Sequence, residues 1–89
     1  LVFAGRRLTI NCSTSAAGSV RVELQTPDGK AIEGFALADC PEIIGDQLER
    51  TVSWKSGGDV GGLAGKGVRL RFVLKDADLF SLRFGDQEP

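Results

Sequence analysis

Apolar and polar residues alternate most clearly near the end of the chain. Val68, Leu70, Phe72 and Leu74 are interleaved with Arg69 and Arg71, which is the period of a half-buried strand. Phe80, Leu82 and Phe84 repeat the pattern, with Ser81 and Arg83 between them. Lys75-Asp76-Ala77-Asp78 separates the two rows and is rich in residues that bond their own backbone. A closing hairpin with both rows on one core is therefore expected. Upstream, Leu8, Ile10 and Cys12 alternate with Thr9 and Asn11. Residues 19–25 set Val20, Val22 and Leu24 against Arg21 and Glu23, and the small residues 13–18 read as the connection between these two strands. Thr26-Pro27-Asp28-Gly29 has the chemistry of a tight turn, with a return strand starting at residues 30–32. Leu48, Arg50, Val52 and Trp54 are expected to face one way, and Glu49, Thr51, Ser53 and Lys55 the other.

Residues 56–67 contain six glycines, so a regular element cannot run through them, although Asp59 to Ala64 suits a helical turn around Leu63. Leu1-Val2-Phe3 is an apolar stub, expected to be an edge strand whose partner lies upstream in a larger protein. Helical periodicity and internal repeats are missing from the sequence. The pattern predicts an all-β fold: an antiparallel β-sandwich, jelly-roll-like, of about six to seven short strands. Residues 1–89 are expected to form one domain, as a C-terminal fragment of a larger protein. Its core is expected to consist of Val20, Val22, Leu24, Val52, Trp54, Leu70, Phe72, Leu74, Phe80, Leu82 and Phe84.

Composition changes this picture little. The chain is 42% apolar and 26% charged, with net charge −1 from 11 basic and 12 acidic residues that are scattered rather than blocked. A nucleic-acid or anionic-membrane surface would need a basic patch, so neither partner is expected. Two cysteines fall far short of a disulfide framework, and alternation places Cys12 in the core as a small hydrophobe.

Candidate chemistry is sparse. The chain contains no histidine, which removes Ser-His-Asp and Cys-His nucleophilic systems and every His-containing metal site. Gly65-Lys66 does not complete a phosphate loop, because Val60 stands where its first glycine belongs and Gly67 where Ser or Thr should follow. Asn11-Cys12-Ser13 satisfies the glycosylation sequon, with Asn11 facing outward by alternation. Asp39, Glu42 and Asp46 gather on one irregular stretch and are the candidate ligands for calcium, which takes oxygen donors from such loops. Asp76 and Asp78 flank the final turn, where capping explains them equally well. Trp54, Phe72, Phe80 and Phe84 fall on inward positions, leaving Phe3 and Phe35 as the aromatics open to stacking on a sugar.

Several blocks occur in a fixed order: residues 13–23, Gly34-Phe35 with Asp39-Cys40, Gly45-Asp46, Val52-Ser53-Trp54, Gly65-Lys66 leading into residues 68–72, and residues 74–84. Together they resemble the C-terminal β-sandwich segment of large bacterial glycosyl-hydrolase-like proteins. Many of those look like five-bladed β-propeller proteins of the invertase and arabinanase type. The resemblance implies a non-catalytic accessory domain that supports the propeller, where the catalytic carboxylates of such proteins lie. It also implies a secreted or periplasmic location. The alternative expectation is a carbohydrate-binding module, supported by calcium at Asp39, Glu42 and Asp46. On either reading the chain is not itself an enzyme.

Overall fold

One strand occupies the centre of the fold and receives hydrogen bonds along both of its edges. The structure, a computed structural model, describes residues 1–86. Strand β1 spans Arg7–Gln25, β2 spans Gln47–Thr51 and β3 spans Arg69–Gly85. They form a single antiparallel sheet in the order β2-β1-β3. The protein is therefore all-β as expected, but the described residues make three strands in one sheet rather than a sandwich of six or seven.

The closing hairpin is not formed. Residues 69–75 and 77–85 belong to one strand, and each half pairs with a different half of β1. The register runs from Leu24↔Leu70 through Val20↔Leu74, then resumes from Thr14↔Ala77 to Leu8↔Phe84. Between Thr14 and Ser19, four residues of β1 lie opposite Asp76 alone. The two stretches expected to be turns thus lie side by side, as one shared irregularity in a continuous ladder. Asp76 takes a positive φ of 44°, and a Cβ on Gly18 would sit 2.5 Å from the carbonyl oxygens of both Lys75 and Asp76. Local turn chemistry is satisfied there without reversing the chain. The long-range pairing prevails because both apolar rows of residues 68–84 find an apolar row of β1 on the same face.

Only the first half of β1 has β2 beside it. Along the second half, irregular segments stand where another strand would go. Val20 exchanges backbone hydrogen bonds with Ile43, at 2.9 and 3.0 Å. The Leu24 amide donates to Phe35 O and its carbonyl accepts from Ile32 N. Val22, between them, is served by side chains: its amide donates to Cys40 Sγ at 3.5 Å, and its carbonyl accepts from Trp54 Nε1 at 2.9 Å. Buried backbone groups need such partners, so the loops can replace a strand here without leaving orphans.

The same segments supply the second layer of the core. Leu8, Ile10, Val20, Val22 and Leu24 on β1 are buried against Cys40, Ile43, Val52, Trp54, Val60 and Val68. Short 3₁₀ turns at Leu37–Asp39 and Gly61–Leu63 tighten the two covering loops, the second one around the expected Leu63. The stub at residues 1–3 finds its partner within the chain: Val2 bridges Gly67, and the Phe3 ring stacks on Phe84 at 4.0 Å.

Three residues expected in the core are exposed. Leu74 is 44% exposed, Phe80 67% and Leu82 41%. Leu70, Phe72 and Phe84 are only half-buried. β3 is an edge strand, so its apolar row is covered by β1 and its loops on one side only. Phe80 has a further reason, because Asn11 pairs with Ser81 and Cys12 with Leu79, leaving Phe80 as the extra residue of a bulge. Leu48 is 87% exposed for a related reason: Leu48 and Glu49 together oppose Asn11, and Glu49 takes a φ of 51°. This breaks the alternation expected between Leu48 and Val52.

Two outcomes test this packing. Trp54→Phe keeps the ring but leaves the Val22 carbonyl unpaired, and should cost about 1–3 kcal/mol in urea denaturation. Gly18→Ala forces the backbone of β1 and β3 apart at the shared irregularity, with an expected loss of about 1–3 kcal/mol measured in the same way.

Candidate functional site

Both strands that flank β1 are bulged opposite the same two residues, Asn11 and Cys12. Asn11 holds the two bulges together. Its Oδ1 accepts from the Glu49 amide at 2.8 Å, and its Nδ2 donates to Ser81 Oγ at 2.8 Å. Above it, Arg83 on β3 reaches Glu49 on β2 at 3.2 Å. The asparagine of the sequon is thus engaged at both ends of its amide, as a bracket across the sheet.

Bulges re-aim side chains, and here they bring Leu48 and Phe80 to one concavity. Ser13, Asp46 and Gln47 line it too, and the Ser13 hydroxyl donates to Asp46 Oδ1. Gln47 and Leu48 also line a second concavity, with Arg7, Glu49, Arg50 and Thr51. The Thr51 Oγ1 is buried and has no hydrogen-bond partner. Gln47 and Leu48 of β2 thus line both a polar concavity and a second one walled by Phe80 of β3. Phe80 and Leu48 were not expected to contribute to a site. The signal was present in the adjacent apolar pair Leu79-Phe80, which interrupts strict alternation and is what a bulge looks like in a sequence.

The three carboxylates expected to bind calcium each have a different local setting. Asp39 ends a 3₁₀ turn and its carbonyl accepts from Lys55 N. Glu42 faces Arg21 at 4.0 Å, and Asp46 is engaged by Ser13 across the sheet. Among the described residues, no three or more acidic or cysteine side chains are gathered for a metal ion. Asp76 and Asp78 both lie along β3 rather than flanking a reversal, and both are exposed.

Of the aromatics, Trp54 is 3% exposed and its indole meets Phe35 edge-on at 5.2 Å. Its role is core packing, as expected. Phe35 is half-buried and Phe3 buried, so neither is a stacking platform. Cys12 and Cys40 are both buried free thiols, and desolvation raises the pKa of each.

Two acidic side chains have strongly organised surroundings. Glu23 is 7% exposed and accepts from Gln25 Nε2 at 2.7 Å and from the Leu37 amide at 3.1 Å, with Arg71 at 3.7 Å. The hydrogen bond from Gln25, then that from Leu37, lowers its pKa. Asp59 accepts from Arg6 at 2.7 Å and from the Gly61 amide at 2.8 Å, which lowers its pKa to about 2. Both carboxylates pin loops: Glu23 the 3₁₀ turn after Ala36, Asp59 the glycine-rich segment. Asp59 shares a shallow concavity with Arg6 and Ser56, and among the described residues no second carboxylate lines it.

None of the known family models, curated proteins or solved structures compared with this chain matches it.

The Glu23 site sets a pH dependence. A carboxyl whose pKa is lower in the folded chain stabilises fully above its unfolded value, about 4.3, and loses that contribution as pH falls through its folded value. Glu23→Gln should therefore cost about 1–3 kcal/mol at neutral pH, since one amide hydrogen then faces a donor. The difference from the parent chain should shrink as pH falls below about 4.3, which denaturant titrations at a series of pH values will read.

Proposed function

We propose that this chain is a non-catalytic accessory β-domain that packs on and supports a neighbouring domain of its parent, a glycoside-hydrolase-like protein carrying a β-propeller. One observation carries the reading. The apolar face of the sheet is closed over β1 but open along β3, where Leu74 and Leu82 are 44% and 41% exposed. Among the described residues, the backbone edge of β3 facing away from β1 has no strand or bridge partner over Arg69–Gly85. A long edge strand with exposed apolar side chains invites association, and proteins normally cover such edges. On this reading the neighbour covers the β3 rim and completes the second layer of a sandwich-like arrangement.

The ordered sequence blocks support the identity of that neighbour, through their resemblance to the segment that follows a propeller. The chemistry of the chain agrees with a supporting role. It has no histidine, and its two most organised carboxylates hold loops.

The test is association of the purified domain with the preceding part of its parent protein, supplied in trans and followed by calorimetry. Leu74→Asp and Leu82→Asp should each weaken binding by at least about tenfold, a loss near 1.4 kcal/mol. As exposed positions, they should shift the stability of the isolated domain by no more than about 0.5 kcal/mol. Hydrolysis of glycosides by the isolated domain would overturn the reading, as would binding indifferent to both substitutions.

A further inference from the structure

β3 changes phase twice along its length. Leu70, Phe72 and Leu74 lie opposite the buried Leu24, Val22 and Val20, and Leu82 and Phe84 lie opposite the buried Ile10 and Leu8. Between these blocks, Ala77 and Leu79 pack on the same core. The alternation slips by one residue at Asp76, which has a φ of 44°, and again at Phe80, the extra residue of the bulge. The two slips are placed symmetrically about Asp78, two residues to either side. We propose that two copies of this chain pair through the free edges of β3, antiparallel, about a two-fold axis at Asp78. The proposal does not rest on the docking reading, and a neighbouring domain would compete with the second copy for Leu74 and Leu82.

Three features select a second copy as the occupant. The first is register. With Asp78 facing Asp78 of the other copy, Ala77 faces Leu79, Leu74 faces Leu82 and Phe72 faces Phe84. Every apolar position then meets an apolar position on the same face. Asp76 faces Phe80, so each slip is met by the other, whereas a regular strand would leave both unmatched. The second is cover. Leu74 and Leu82 are open by similar fractions, 44% and 41%, and in this register each covers the other. The third is charge. Lys75 and Asp78 are exposed on the face opposite the core, beside Ser19 and Ser13. The two Asp78 carboxylates meet at the axis, and each has the other copy's Lys75 as its diagonal neighbour, so opposite charges alternate around the axis. Arg71 and Arg83 approach each other across the pair, but each is already matched within its own chain, by Glu23 at 3.7 Å and Glu49 at 3.2 Å.

The pair is a single continuous sheet with three strands from each copy and both core layers on one face. Its two-fold axis runs through the sheet, so the contact is isologous and closes at two copies. The backbone groups along the outer edge of β3 gain partners, and the outermost strands become the short, bulged β2 of each copy.

The experiment is sedimentation equilibrium of the full chain alone, from about 1 μM to about 1 mM, followed by disulfide trapping. A reversible dimer is expected. Asp78→Asn removes the like-charge contact at the axis and should tighten the dimer several-fold, and Lys75→Glu should weaken it about tenfold. Facing Cα atoms in such a pair lie about 5 Å apart, within reach of a disulfide, whereas the Leu74 positions of the two copies are about 25 Å apart. Leu74→Cys mixed with Leu82→Cys should therefore cross-link under mild oxidation, either variant alone should not, and Asp78→Cys should cross-link to itself. Cys12 and Cys40 are buried, so the parent chain serves as the uncross-linked control. Circular dichroism of each variant separates lost pairing from lost folding. The proposal is overturned if the parent chain stays monomeric throughout the range, if Asp78→Asn weakens the dimer, or if Leu74→Cys cross-links with itself as readily as with Leu82→Cys. The neighbouring domain is absent from these samples, so failure here leaves the docking reading standing.

Discussion

The structure depends on satisfying both edges of β1. A central strand with one apolar face must have its amides and carbonyls paired on each side, because water is excluded from them. β3 does this along one edge from Arg7↔Gly85 to Gln25↔Arg69, interrupted only at the bulge by Cys12 and at residues 15–18. On the other edge β2 reaches only as far as Cys12. Beyond it, backbone from Ile43, Phe35 and Ile32 alternates with two side-chain groups, the Cys40 thiol and the Trp54 indole. Those two groups are what allow a sheet of three strands to bury the second half of β1.

This explains why the covering loops are ordered without being regular. Each is fastened at points where β1 or its flanks need a partner. Asp59 holds Arg6 and caps the Gly61 amide, which orients the glycine-rich segment so that Val60 N reaches Arg6 O and Val60 enters the core. Glu23 does the same for the turn at Leu37 from the opposite face of the sheet. The residues that look like charged candidates for chemistry are thus the ones that replace a missing strand ladder with individual anchors.

The two edges of the sheet differ in length and in cover, although both flanking strands are bulged. β3 is long, and its apolar row is only half covered, with exposed charged residues such as Arg69, Arg71 and Arg83 between the apolar ones. β2 is short, and its bulge at Leu48 and Glu49 disrupts the edge and disfavours pairing with another strand. Asn11 links the two bulges through one amide, so the shape of the concavity walled by Phe80 is tied to the packing beneath it.

The period-two pattern by itself determined the all-β class and most of the buried row on β1, because alternation on one strand depends only on which face meets the core. It also marked Val52 and Trp54 as inward, and the turn at Leu63. It could not determine which strands pair. Lys75-Asp76-Ala77-Asp78 and residues 13–18 both have turn chemistry, and only their meeting across the ladder makes each the other's bulge instead of a reversal. Nor could it separate Leu74 and Leu82 from Val20 and Ile10, since an edge strand and a central strand carry the same alternation and differ only in having one neighbour or two. The concavity walled by Phe80 was hidden for the same reason. Phe80 and Leu48 follow the inward pattern in sequence, and a single extra residue in each flanking strand, fixed by register against Asn11, turns them outward.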